Sequence, residues 1–288
     1  MVIIEMSGGL GNQMFQYALY RKFESTGKDV KLDTSFFRSK QRLRKLELGI
    51  FGIKCNTITD REAAYIRGYG YHDSILDKIR YKLHTSGYQI YEDKIETYQP
   101  EIFDMDDIYL SGYWQNEKYF ADISEEIRKA FQFRGGIDSK NKEILYRIQN
   151  ENSVSIHVRR SDYLSDENKI VYGGICTDQY YNNAVTYIRE QVMKPYFYLF
   201  TDDAEWVRGH LYYPDMTIVE HNSGANAYMD MYLMSQCKHN IIANSSFSWW
   251  GAWLNQNEEK IVLTPERWFA NHETTEMFCE NWIPISSR

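Results

Sequence analysis

The sequence predicts an α/β protein built from two units, each a parallel β-sheet covered by helices. Three observations lead there. The chain opens with an apolar strand, a glycine turn, a helix and a second strand in immediate succession. From residue 153 to residue 265, short apolar runs alternate with longer helical patterns, which is the signature of a parallel sheet with helices on its faces. A length of 288 residues with 43% hydrophobic residues supplies core for one large domain or two medium ones.

Taken in order, Val2, Ile3 and Ile4 form the first strand and "SGGLGNQ" the turn after it. Phe15, Ala18, Leu19 and Phe23 then recur at helical spacing, Gly27 is a natural stop, and "VKLD" is the next strand, ending at Asp33. Residues 38–105 are less patterned. "RSKQRLRKLEL" carries five cations between Arg38 and Lys45, most simply a solvated helix or loop face, and helical patterns follow near 60–67 and 74–84. "DIYLSGYW" (107–114) resumes strand character, ahead of amphipathic stretches at 117–132 and 138–150. The second series runs "SVSIHVRR" (strand), "DQYYNNAVTYIREQV" (helix), "PYFYLFTDD" (strand) and "AEWVRGHL" (helix). It continues with "MTIVE" (strand), "AYMDMYLMSQC" (helix), "HNIIAN" (strand), "SSFSWWGAWLN" (helix) and "KIVLTP" (strand). The boundary is expected between 136 and 153, which gives domains 1–150 and 151–288 with a cleft between them. Ligands of such sheets bind outside the carboxyl ends of the strands.

Composition removes several classes. A net charge of −7 argues against a nucleic-acid footprint. Cys55, Cys176, Cys237 and Cys279 have neither CxxC nor zinc spacing and are read as reduced thiols of a cytoplasmic protein. The opening residues lack a basic signal-peptide region, and no run approaches the ~18 apolar residues of a membrane span.

Chemistry concentrates at strand ends. In "SIHVRRSDY" (155–163), Ile156 and Val158 face one side of the strand and His157 and Arg159 the other, with Arg160 and Asp162 in the loop beyond. A guanidinium offers planar, permanently charged donors suited to a pyrophosphate. Asp162 could orient an arginine, take a proton, or simply pair with Arg160. In "NSSFSWWGAW" (244–253), Asn244 or Ser245 caps a helix whose first N–H groups and dipole form an anion site. Phe247 could pack on a nucleobase, while Trp249, Trp250 and Trp253 pack the helix. Asp202 and Asp203 in "YLFTDDAEW" either accept hydrogen bonds from a ribose or guanine edge or cap the next helix.

The N-terminal turn half-matches a dinucleotide fingerprint. Gly9, Gly11 and the acid Asp33 fit, but Met14 stands where the third glycine belongs, so a dehydrogenase reading is weak. Asn12 and Gln13 instead offer amides to a sugar hydroxyl, unless Asn12 caps its own helix. Asp104 and Asp106 match a D-x-D metal pattern that is common by chance and begins a strand; no metal site is assigned.

The segments "GGLGNQMFQYA", "SIHVRRSDY", "LFTDDAEW" and "LMSQCKHNIIANSSFSWWGAWL", together with Pro265 and Trp268 as P-x-x-W, resemble the bacterial α-1,2-fucosyltransferases. The resemblance implies a GT-B architecture, two Rossmann-like domains with parallel sheets facing a central cleft. GDP-fucose would sit mainly on the C-terminal domain and the acceptor on the N-terminal one. It also implies inverting, metal-independent transfer with no cofactor beyond the donor substrate. By motif position Arg159 grips the pyrophosphate, His157 contacts the nucleotide, and Ser245, Ser246 and Phe247 surround phosphate and guanine. Asn12 lies near the transferred sugar. Asp202 and His239 join the donor-side candidates and Gln13 the acceptor or sugar contacts, while Arg159, Asp162 and Asn12 form the catalytic set. The partners implied are GDP-fucose and a galactose-terminated oligosaccharide or lipid-linked glycan, with no nucleic acid. Location is expected to be cytoplasmic, and a peripheral contact with the inner face of the membrane stays open. The alternatives are another nucleotide-sugar glycosyltransferase or a non-catalytic GDP- or sugar-binding protein.

Overall fold

The computed structural model describes residues 1–38, 44–67, 87–94, 97–160, 163, 166–211, 213–271 and 276–287. The helical pattern expected near 74–84 and the middle of the basic run, residues 39–43, lie outside the described residues. The chain divides into two compact units, Met1–Gly135 and Gly136–Arg288.

In the first unit the strands are β1 (Val2–Glu5), β2 (Val30–Asp33), β3 (Gln89–Glu92) and β4 (Ile108–Ser111). They pair in parallel in the order β2-β1-β4-β3. Val2, Ile3 and Ile4 are fully buried, as a central parallel strand covered on both faces requires. Helix α1 (Leu10–Ser25) follows β1 and buries Met14, Phe15, Ala18, Leu19 and Phe23; Gly27 lies just beyond its end at φ +79°. Helix α2 spans Asp60–Arg67 and α3 spans Ser124–Ala130. The stretch 117–132 is not one helix. Short 3-10 turns at Glu117–Tyr119 and Ala121–Ile123 precede α3, broken by an extended φ of −144° at Phe120. Tyr119 and Phe120, at the break, are both buried.

The second unit begins with α4 (Ser139–Asn150), capped by Asp138. This helix, expected to end the first domain, belongs to the second. Its Ile148 is buried and its carbonyl accepts from Ser153 Oγ at 2.8 Å, tying it to the strand that follows. The strands are β5 (Asn152–Val158), β6 (Pro195–Thr201), β7 (Met216–Val219), β8 (His239–Ile241), β9 (Val262–Pro265) and β10 (Ile283–Ile285). Between them run α5 (Asp166–Tyr172), α6 (Asp178–Gln191), α7 (Ala204–His210), α8 (Tyr228–Gln236) and α9 (Ser246–Leu254).

All six strands are parallel, in the order β10-β9-β8-β5-β6-β7. From the β7 edge the chain order is third, second, first, fourth, fifth, sixth, the Rossmann arrangement. The predicted alternation of β5 holds: Val154, Ile156 and Val158 pack with Tyr180, Tyr181, Ala184, Val185 and Ile188 of α6. On the other face Ser155 Oγ accepts from Asn240 Nδ2 at 2.7 Å. Asn240 also donates to the Met234 carbonyl at 2.8 Å and accepts from Asn255 Nδ2 at 2.7 Å, binding short β8 to both neighbouring helices. β10 carries Pro284, which a sheet tolerates at its edge.

Candidate functional site

Strand order reverses between β5 and β8, and their carboxyl ends therefore open a crevice. Two of the sequence motifs emerge there side by side. β5 delivers His157, Arg159 and Arg160; β8 leads into Asn244, Ser245 and α9. The His157 and Phe247 rings lie 5.7 Å apart, so the two motifs meet.

The paired arginines have different surroundings. Arg159 Nη1 is 3.0 Å from Asp202 Oδ2, and the backbone N–H of Arg160 donates to Asp202 Oδ1 at 2.9 Å. Arg160 turns instead to Asp203, 3.2 Å from Nε, and stacks 4.1 Å above the Trp206 ring. Asp203 caps α7 by accepting from Trp206 N–H at 3.0 Å. Ion pairs of this partial exposure contribute only about 0–1 kcal/mol, so Asp202 matters mainly as a group that aims Arg159.

Ser245 caps α9, its Oγ accepting from Phe247 N–H at 3.3 Å. The first intrahelical bond runs from Trp249 N–H to the Ser245 carbonyl at 2.9 Å. The N–H groups of Ser246, Phe247 and Ser248 precede that ladder, and α9 has no acid in its first turn. A helix dipole places about half a positive charge there, an anion site of the kind expected. Asn244 fixes the turn: its Nδ2 donates to the Trp268 carbonyl at 3.0 Å, and its carbonyl accepts from Tyr163 Oη at 2.8 Å. Trp249, Trp250 and Trp253 are buried, and Trp249 Nε1 donates to the Met277 carbonyl at 2.7 Å. At Gly251 an added Cβ would lie 3.0 Å from Met234 Cβ, so α8 and α9 pack closely.

Sequence reasoning missed Asp230, in the first turn of α8. Burial pushes its carboxyl up to about 7, opposed by a 2.8 Å bond from Asn222 Nδ2. Asn222 is joined through Asn141 to His221 and Asp138. The available signal was an acid between Met229 and Met231, both of which are buried.

In the first unit, the turn after β1 meets the segment that follows β4. Asn12 Oδ1 accepts from Gln115 Nε2 at 2.6 Å. Gly8, at φ +76°, makes room for it: a Cβ there would lie 2.6 Å from Asn12 Nδ2 and 3.1 Å from Tyr113 Cε1. Gln13 is held inside the unit instead. It is fully buried, donating to the Gly8 and Lys45 carbonyls and accepting from Glu47 N–H.

The features that favoured a dinucleotide are engaged within the unit. Glu47, its carboxyl raised by burial against the opposing effect of Arg44, accepts from Leu10 N–H at the start of α1. Asp33 is fully buried, accepts from Tyr109 Oη at 2.7 Å and from Ser35 N–H at 2.9 Å, and lies 3.4 Å from Arg67.

His239 is not with the other donor-side candidates. It begins β8 opposite Val154, at the amino end of the sheet, where its Nδ1 accepts from Ile261 N–H at 3.1 Å. Burial and Lys238 hold its pKa below the usual value. Period and motif membership do not say which end of a strand a residue occupies; the parallel register does. Asp162 lies outside the described residues. Asp106 pairs with Lys28 at 3.1 Å, ahead of β4. No described helix is long and apolar enough to cross a membrane.

Asp230 sets a pH dependence of stability. The folded carboxyl holds its proton up to about pH 7, whereas an ordinary aspartate releases it at about pH 4. The native state thus binds more protons through that window, and stability falls as pH rises across it. Asp230→Asn should match the wild type near pH 4 and melt a few degrees higher at pH 8, as read by thermal unfolding across pH.

Residues 77–286 match the model of glycosyl transferase family 11. The chain is similar to an α-1,2-colitosyltransferase of Escherichia coli, 32% identical over 99% of this chain and 98% of that protein. It is 30% identical to the Escherichia coli O-antigen biosynthesis glycosyltransferase WbnK, over 97% of this chain and 99% of that one. Similarity to galactoside α-(1,2)-fucosyltransferase 1 of Saimiri boliviensis boliviensis is 26%, over 62% of this chain and 52% of the relative. Among solved structures, NodZ α-1,6-fucosyltransferase co-crystallized with GDP aligns at 15% identity over 87% of this chain and 91% of that one, with a TM-score of 0.44. The family that the four motifs pointed to is the family found: this chain belongs to glycosyl transferase family 11.

Proposed function

We propose that this glycosyltransferase moves L-fucose from GDP-β-L-fucose to the 2-hydroxyl of a terminal galactose, with inversion, to give Fuc-α-1,2-Gal. The observation that carries the reading is that the segment with Arg159 and the Ser245-capped start of α9 follow two adjacent parallel strands, β5 and β8, with His157 and Phe247 in ring contact between them. A nucleoside diphosphate needs both kinds of group. A fixed cation meets its charge, and oriented N–H groups donate to its oxygens.

In this reading the diphosphate lies against Arg159 and the first turn of α9, with Ser246 beside it, and guanine packs near Phe247 and His157. Asp202 keeps Arg159 aimed. As the acceptor oxygen approaches the anomeric carbon from the face opposite the phosphate, positive charge builds on the sugar and negative charge on the leaving β-phosphate. Donors already in position stabilise that charge without reorganising, so the transfer is proposed to proceed without a metal ion. Asn12, steadied by Gln115, holds a sugar hydroxyl in the first unit. The acceptor is a galactose-terminated oligosaccharide or a lipid-linked glycan, and the reaction belongs in the cytoplasm, with peripheral membrane contact where the acceptor is lipid-borne. Similarity to an α-1,2-colitosyltransferase favours one other reading, in which the sugar transferred is colitose.

The test is release of GDP from GDP-fucose with and without a β-galactoside such as lactose, in EDTA, with product linkage read by NMR. Galactoside-dependent release and an α-1,2 linkage are expected, unaffected by EDTA. Transfer from a colitosyl donor but not from GDP-fucose would overturn the donor assignment. Loss of transfer in EDTA would overturn the metal-free mechanism. Arg159→Ala should lower kcat by about 10²–10³-fold, the usual cost of one preorganised donor, at saturating GDP-fucose. Near-normal kcat in that variant would remove Arg159 from the mechanism.

A further inference from the structure

An inverting transfer requires a group to take the acceptor's proton. Among the described residues, the carboxylates around the carboxyl edge of the first unit's sheet differ sharply in how they are used. Asp33 is spent on Tyr109, Ser35 and Arg67. Glu5 accepts from the Ser111 hydroxyl at 2.6 Å, and Glu47 accepts from Leu10 N–H. Asp93, just past the end of β3, is different. Its Oδ2 accepts from the backbone N–H groups of Tyr113 at 3.2 Å and Trp114 at 2.7 Å. Among the described residues, no bond occupies its Oδ1.

We propose that Asp93 is the general base of the transfer, its Oδ1 taking the proton of the acceptor hydroxyl; this rests on the fucosyl-transfer reading above. Asp93 and Asn12 are joined by one short loop. Tyr113, whose N–H Asp93 holds, lies against Gly8, and Gln115, two residues on, reaches Asn12. The loop fits tightly over the acid: Gly112 sits at φ +131°, and a Cβ there would lie 2.2 Å from Asp93 Cβ. Among the described residues the carboxylate is thus fixed by one oxygen and unbonded at the other, the arrangement a base needs when its aim matters. Burial raises its proton affinity above that of an ordinary aspartate, against the two backbone bonds, which improves it as a base.

In the step, the acceptor O–H proton passes to Asp93 Oδ1 and the acceptor oxygen's electron pair forms the bond to the anomeric carbon. The bond from that carbon to the β-phosphate oxygen breaks, and its pair leaves with GDP. Asp93 then releases its proton to water.

Asp93→Asn tests this without dismantling the loop, because an amide oxygen can still accept from Tyr113 and Trp114. The expected result is a fall in kcat of about 10²–10⁴-fold, the range for general acid–base catalysis, with GDP affinity and melting temperature unchanged. The acid limb of the wild-type pH–rate profile should disappear in the variant. Among the described residues, Tyr119 lies close enough to feel the Asp93 charge, and burial pushes its phenol well up, so it remains protonated across the profile. Asp93→Glu, which keeps a carboxylate, should retain that limb at reduced rate. Wild-type kcat in Asp93→Asn, an unchanged acid limb, or a loss of rate matched by weakened GDP binding or early melting would each overturn the proposal. A wild-type protein with no transfer in the same assay would instead overturn the fucosyl-transfer reading and this inference with it.

Discussion

The pairing of β5 with β8 is the constraint on which the rest of the site depends. Connections on the two sides of β5 run in opposite directions, so the loops beyond β5 and β8 part instead of covering one another. The register sets Ile156 against Ile241 and leaves the chain past both strands to supply the crevice. A slip of one residue along β5 would turn His157 into the apolar layer beneath α6 and expose Val158. Ser155 and Asn240, bonded across the pair, oppose such a slip.

Both units use the same device, a strand, a tight turn and a helix, yet they end with different chemistry. At α1 the start of the helix is met by Glu47, a carboxylate from the same chain, and Gln13 secures the segment that brings it. At α9 the first turn has no acid, and the nearest fixed charge on the adjoining strand is the cation Arg159. One helix start is neutralised from within and the other is suited to an external anion. Asymmetry of that kind fits a protein that handles a charged donor and an uncharged sugar with separate surfaces.

The sequence made much of this legible because the second unit is regular. Period-two alternation gave the facing of β5, and the cap and apolar pattern of "SSFSWWGAWLN" gave α9 and its direction. Other features depended on tertiary context. His239 and Arg159 look alike as polar residues in strand motifs of this chain, but parallel register puts them at opposite ends of the sheet. Gln13 carries the same amide as Asn12, and only packing shows it buried among the Gly8 and Lys45 carbonyls. β3 and β10 are short edge strands with half-exposed residues, too weakly patterned to stand out. Asp93 follows one of them, in the stretch where the sequence offers least periodicity.

Hydrogen–deuterium exchange, with and without saturating GDP, examines the assignment of the diphosphate to the second unit without depending on acceptor or turnover. Slower exchange should appear at the backbone amides of residues 157–160 and 245–249, while those of 8–13 are unchanged. Protection concentrated at 8–13, with 245–249 unaffected, would place the nucleotide on the glycine turn of the first unit and contradict the division of labour between the two.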